Sequence, residues 1–258
     1  MKQENLVQVL IPVYKSDISV LEERSLRQVY AILGEVFPMV IVKPESLNVD
    51  LWIEKYPKLT AVSFPNACFD GVAAYNRLML SAAFYERFSS AEYILIHQLD
   101  AWIFRNELEQ WCVEGYDYIG APWLKKPAYN LPVVSQIMRL CYLFDKFRGR
   151  PNKQDLYNKV GNGGLSLRKV QSHIRVANER ASEINRFVSQ KRSHLFNEDV
   201  FWASVPEFSY PDVNKSLRFS FDKYPRLSLK LTGGVLPFGC HGWYSRKMRR
   251  FWRDVIGF

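Results

Sequence analysis

The chain opens on an unbroken apolar run. Leu6 to Val13 (LVQVLIPV) is rich in β-branched residues and stops at the polar turn YKSD, the pattern of a strand buried on both faces. From Asp17 to Leu33 the pattern changes: Leu21, Leu26, Val29, Tyr30 and Leu33 recur at helical spacing and end at Gly34, which predicts a helix. Met39 to Val42 and Ala61 to Phe64 read as two more strands, closed by Pro44 and Pro65. Val72 to Phe88 reads as a second helix, and Tyr93 to Ile96 as a fourth strand. Strands alternating with helices predict an α/β fold with a mainly parallel sheet flanked by helices. In such sheets the ligand sits beyond the carboxyl ends of the strands. Attention therefore falls on Pro12, Val13 and Tyr14, on Pro65-Asn66, and on His97 to Trp102.

The second half is less regular. Tyr116 to Trp123 (YDYIGAPW) is a short strand running into a Gly-Ala-Pro turn, and Leu124 to Lys159 is a basic insertion, helical around Val134 to Phe147. Gly161 to Gly164 (GNGG) demands a tight loop. Lys169 to Gln190 reads as a helix, and Asn197 to Val205 as another, with Asn197 as N-cap and acids in its first turn. Tyr244 to Ile256 is helical in pattern, its apolar stripe flanked by five basic residues. That stripe suits either packing on the core or lying on an anionic membrane.

Length adds that 258 residues suit one large domain or two small ones around a cleft. The four cysteines are scattered without a C-x-x-C pair, which excludes a zinc-finger framework and fits a reducing compartment. No signal peptide and no apolar run of about 18 residues is found, so the expected location is cytoplasmic, with peripheral attachment to the inner face of the membrane open. Charge is uneven: residues 1–123 carry a net −6 and residues 124–258 a net +15. The second half therefore expects something anionic: nucleic acid, a phosphate-bearing substrate or a membrane face.

Several chemistries are missing. No G-x-G-x-x-G follows the first strand, and no P-loop, H-E-x-x-H or G-x-S-x-G occurs. A nucleotide can still bind without a glycine loop if a metal ion carries its phosphates. YILIHQLDAW, Tyr93 to Trp102, ends an apolar strand on Asp100 and places one carboxylate at the sheet edge. His97 points to the opposite face of that strand from Gln98.

YDYIGAPW, GNGGLSLR, NEDVFW and PFGCHGW follow in that order. Together with Gln98-Leu99-Asp100 in the place of an Asp-x-Asp motif, the set resembles a glycosyltransferase-like domain-of-unknown-function family, DUF5672, of the GT-A class. More distantly, the double glycine followed by Glu-Asp-Val is similar to Fringe-type β-1,3-glycosyltransferases. The resemblance implies a single GT-A-like domain, 1–123 forming the donor half and 124–258 the acceptor half. It implies a nucleotide diphosphate sugar as donor, a UDP-sugar by preference, and a glycan or lipid-linked acceptor. Asp100 and His241 are the implied ligands of a divalent cation (Mn2+ or Mg2+), a site that Gln98 leaves one carboxylate short. Asp199 is the implied base, with Glu198 as its partner, in an inverting transfer. The donor side would comprise Pro12, Val13, Tyr14, Asn76, Gln98, Asp100, Gly163 and Gly164, and the acceptor side Trp123 and Trp202. An anionic membrane surface is a further partner, and nucleic acid is not expected. Two rival readings stay open: a GT-A scaffold that has lost catalysis and binds sugars or partners, and a nucleic-acid-binding protein.

Overall fold

The computed structural model describes residues 6–190 and 194–258; Met1 to Asn5 of the N-terminal segment lie outside it. Among the described residues nine strands are formed: β1 (Val7–Pro12), β2 (Met39–Pro44), β3 (Leu59–Phe64), β4 (Tyr93–His97), β5 (Ala101–Ile103), β6 (Tyr118–Gly120), β7 (Leu165–Lys169), β8 (Ser220–Phe221) and β9 (Gly239–His241). Six make a central sheet in the order β3-β2-β1-β4-β7-β6, and β5-β9-β8 make a small second sheet. β1 to β4 run parallel, whereas β7 is antiparallel to both β4 and β6. The predicted mainly parallel α/β sheet is therefore present, and both halves of the sequence contribute to it.

The apolar runs become strands because both faces are covered. Val7, Val9, Ile11, Tyr93 and Leu95 enter one core, while Leu10, Ile94 and Ile96 enter the core on the other face. β7 was not expected as a strand. Its Leu165 and Leu167 face the first core, and Ser166 and the fully buried Arg168 face the other.

Several predicted helices are shorter than their apolar pattern. The first spans Val20–Leu33, because Ser19 and Glu22 form a capping box that fixes its start. The stretch from Val72 to Phe88 is broken into Gly71–Met79 and Ala82–Glu86, where the Ser81 hydroxyl caps the second helix. Lys169 to Gln190 divides into the end of β7 and two helices, Val170–Glu179 and Ala181–Ser189, separated at Arg180. The last helix begins at Arg249 rather than Tyr244, because Gly242, at φ +66°, and Ser245 start successive turns. Its Trp252 is fully buried and lies 5.6 Å from Phe104 between ring centres. Arg24 donates to the carbonyls of Ile256 and Gly257. The stripe read as a membrane candidate at the C-terminus therefore packs on the protein's own core.

Two features of the topology position the site. Successive strands run outward from β1 through β2 to β3, and the chain then crosses back to place β4 on the other side of β1. The crevice at that switch point opens between the ends of β1 and β4, beside Pro12 to Tyr14 and Gln98 to Asp100. The second feature is register. His97 pairs with Leu165, so the GNGG loop before β7 lies at the same edge. Ala101 pairs with His241, so β9 delivers His241 beside Asp100. Phe221 pairs with Cys240, so Asp222 follows at His241's other side.

Candidate functional site

A cleft of about 600 Å3 occupies the switch point. Of the site residues expected from sequence, Pro12, Val13, Tyr14, Asn76, Gln98, Asp100, Trp123, Gly163, Gly164, Glu198, Asp199 and His241 line it. Trp202 does not. It is fully buried, donates its indole N–H to the Met79 carbonyl at 3.1 Å, and stacks on Phe208. The acceptor role expected of Trp202 is corrected to a core role, since nothing outside the protein can reach its ring.

One wall is built around His241. Its Nε2 lies 3.2 Å from Asp100 Oδ1, and its Nδ1 lies 3.4 Å from Asp222 Oδ1. Burial opposes a charge on the ring, but the two carboxylates outweigh burial and raise its pKa to about 10. Asp100 is in turn held below the usual carboxylate range, against its own burial, by His241. The Asn162 Nδ2 also approaches Nδ1 at 3.2 Å, while its Oδ1 accepts the Gly164 N–H at 2.8 Å.

Asp100 and His241 are the two groups on this wall that could hold a divalent ion shared with phosphate oxygens, His241 only after giving up its proton. One carboxylate and one imidazole nitrogen converge at the cleft wall. Among the described residues, no group of three or more His, Cys, Asp or Glu side chains is arranged to hold a metal without help. Asp222, as acceptor from Nδ1–H, leaves Nε2 turned toward Asp100, the arrangement in which an outer carboxylate orients a ligating histidine. His97 takes no part in this wall; burial pushes its pKa down to about 4 and keeps it neutral in the core.

The GNGG loop owes its glycines to close packing. A Cβ on Gly164 would stand 2.2 Å from the His241 ring, and one on Gly163 would stand 2.3 Å from the Glu198 carboxylate. The left-handed backbone of the loop falls on Asn162, at φ +94°, a residue type that tolerates it. Gln98 binds the loop to the end of β4, its N–H donating to the Gly164 carbonyl at 2.8 Å.

The acids of the helix Glu198–Trp202 have separate fates. Glu198 is buried and pairs through both oxygens, each at 3.0 Å, with the Arg168 guanidinium. Arg168 also donates to Tyr85 and Ser166, and lies over the Tyr118 ring. The facing carboxylate outweighs burial and keeps Arg168 well above its ordinary range. Glu198, expected beside Asp199 in catalysis, borders the cleft with both oxygens bonded to Arg168, and it anchors the helix. Asp199, one residue on, is half-buried and faces the cleft. It accepts N–H bonds from Gly163 at 3.3 Å and Val200 at 3.0 Å. Burial raises its pKa; those N–H groups and Arg168 oppose the rise, and Asp222 adds to it.

Asn76 is on the wall, yet its amide bridges Asn197 Oδ1 at 3.2 Å and the Glu198 N–H at 3.3 Å. It holds the start of the acidic helix, the capping task expected of Asn197, whose own side chain makes no cap. Beyond Asp199 lies a second cavity of about 120 Å3, lined by Trp123, Tyr129, Lys153, Tyr157, Lys223 and Tyr224 among others. Asp199 and Trp123 border both spaces.

Sequence reasoning missed Arg168, Asn162 and Asp222. An arginine inside LSLR, an otherwise apolar alternation, does signal a buried ion pair. Asp222 carries no such signal, since only the β8–β9 pairing brings it to His241.

Solved structures share this architecture. The galactosyltransferase LgtC, in complex with donor and acceptor sugar analogs, matches with TM-score 0.56 and 10% identity over 97% of this chain and 95% of that one. Mouse xyloside xylosyltransferase 1, in its apo form, gives 0.51 and 11% over 91% and 96%. The glycosyltransferase GlyE of Streptococcus pneumoniae TIGR4 gives 0.55 and 9%, covering 99% of this chain but 61% of that one. At such identities the likeness defines the fold, and the fold is GT-A. No curated protein matches the sequence. Residues 58–241 match DUF5672, described as a protein of unknown function, and the chain belongs to that family.

Proposed function

We propose that the protein is a glycosyltransferase that moves a sugar from a nucleotide diphosphate donor, a UDP-sugar by preference, to a hydroxyl of a glycan or lipid-linked acceptor. The observation that carries this reading is the position of Asp199. It stands between a cleft large enough for a nucleotide sugar and a second cavity walled by aromatic and basic side chains. Pro12, Val13 and Tyr14 form the rim expected to meet the base. Asp100 and His241 would hold a divalent cation, with Asp222 orienting the imidazole. When bound, that cation would neutralise the diphosphate and stabilise it as a leaving group. Asp199 accepts the proton of the acceptor hydroxyl as it attacks, and its raised pKa makes it a stronger base than an exposed aspartate. Attack from the side opposite the departing diphosphate gives inversion. Trp123, at the border of both spaces, offers an apolar face to a sugar.

The acids around the cleft argue against nucleic acid as its occupant. Glu22, Asp100, Asp199 and Asp222 outnumber Lys15 and Lys223 along it, so without a further cation it would repel a phosphate backbone. Gln98, where the first acid of the metal motif is expected, is the observation that favours a binding module without turnover. The two are separated by release of nucleoside diphosphate from a panel of UDP-, GDP- and dTDP-sugars with Mn2+. Release from one donor class is expected; no release from any of them, with binding retained, would leave only the binding module.

A further inference from the structure

We infer that the helix Pro132–Phe147 docks the protein on an anionic lipid surface. None of its sixteen residues is buried. Val133, Ile137, Leu140, Phe144 and Phe147 follow one another at steps of four and three, one stripe along the helix. They are 69%, 55%, 67%, 51% and 90% exposed. Leu143, at 52%, broadens the stripe. Solvation of so many large apolar side chains on one helix is unfavourable, and a continuous exposed face of this kind marks an interaction surface.

The other side of the helix holds it to the protein. Gln154 Nε2 donates to the Met138 carbonyl at 2.8 Å, Asn152 Nδ2 to Asp145 at 2.6 Å, and Tyr142 to Asp155 at 2.8 Å. Asp145 and Asp155 are the only acids between Leu124 and Lys159, against eight basic residues. Both acids are thus hydrogen-bonded to neighbours within the insertion. Arg139, Lys146, Arg148 and Arg150 remain exposed along and just beyond the helix. The Lys146 ammonium and the Arg148 guanidinium lie over the rings of Tyr142 and Phe144.

Charge complementarity selects the occupant. A second copy on this stripe would bring two strongly basic segments together, whereas anionic headgroups neutralise the rim while the apolar side chains enter the acyl boundary. The surface stands on its own, independent of sugar transfer. The same insertion supplies Tyr129, Lys153 and Tyr157 to the second cavity, so docking brings that cavity near the lipid; a lipid-linked acceptor for it rests on the transfer reading.

The test is co-sedimentation of the full chain, without any sugar, with vesicles of phosphatidylcholine alone or with added phosphatidylglycerol. Wild type is expected to sediment with the anionic vesicles and to be released by salt. The triple change Ile137→Glu, Leu140→Glu and Phe144→Glu is expected to abolish sedimentation with thermal unfolding unchanged, because these side chains are exposed. A second variant, Arg139→Glu with Arg150→Glu, keeps the apolar stripe and is expected to lose the preference for anionic lipid. Equal recovery of wild type in the unbound fraction with both vesicles would overturn the inference. So would a wild-type dimer in sedimentation equilibrium that the triple change disperses and that ignores vesicles.

Discussion

Replacing Glu198 with alanine is expected to destabilise the protein by about 3–5 kcal/mol, the usual cost of leaving a buried charge without its partner. Arg168 is fully buried, and both guanidinium nitrogens that face Glu198 lie 3.0 Å from its oxygens. The ring of Tyr118 and the hydroxyls of Tyr85 and Ser166 cannot supply the missing negative charge. Urea unfolding would register the change as a lower midpoint at unchanged slope. Replacing both partners, Arg168→Met with Glu198→Leu, should cost far less than the two single changes added together, because the charge and its counterion leave together. A Glu198→Ala variant within about 0.5 kcal/mol of wild type, the range of an indifferent surface change, would show that the pair does not anchor the acidic helix.

The second large effect concerns chemistry rather than stability. Asp199→Asn preserves the shape of the side chain but keeps one acceptor oxygen in place of two, so only one of the bonds from Gly163 and Val200 persists, while the donor should bind as before. Transfer should fall by about 10²–10⁴-fold, the range associated with a general base. In the wild type, activity should rise with pH as Asp199 loses its proton, at a pH above the ordinary aspartate value because its pKa is raised. That ascending limb should vanish in the variant. Turnover of Asp199→Asn within a few-fold of wild type would remove Asp199 from the role of base.

The contrast between these adjacent acids shows where sequence reasoning succeeds and where it stops. NEDVFW at a helix start does place an acid at the cleft. Consecutive helix residues, however, point about 100° apart, so Glu198 and Asp199 take different partners although both border the cleft. One turns to the core and finds Arg168; the other remains at the cleft. Trp202 follows Glu198 by four residues and shares its inward direction, which is why it became core.

The parallel strands were legible because LVQVLIPV and YILI are apolar at nearly every position, the pattern of a strand covered on both faces. β5, β8 and β9 have only two or three residues each, too few for any period to emerge. Yet they bring His241 and Asp222 to Asp100. The metal-wall candidates Asp100 and His241 could be named from the resemblance; their distance and the part of Asp222 depend on that small sheet. At the C-terminus the stripe through Phe251, Trp252 and Ile256 suited two environments. Docking of Trp252 against Phe104 and Phe221 decides it, leaving the inserted helix with the larger exposed apolar face.

The central claim is that the switch-point cleft receives a nucleotide diphosphate beside Asp100 and His241. Its most direct test is binding of UDP, GDP, CDP and dTDP to the protein, each with and without Mn2+, followed by thermal unfolding and titration calorimetry. One diphosphate should stabilise the fold by about 2.7 kcal/mol at about 100 times its dissociation constant. That effect should require Mn2+ and weaken in Asp100→Asn. Binding without the metal would keep the donor and remove the cation from Asp100 and His241. Absence of binding by every diphosphate under both conditions would contradict the account.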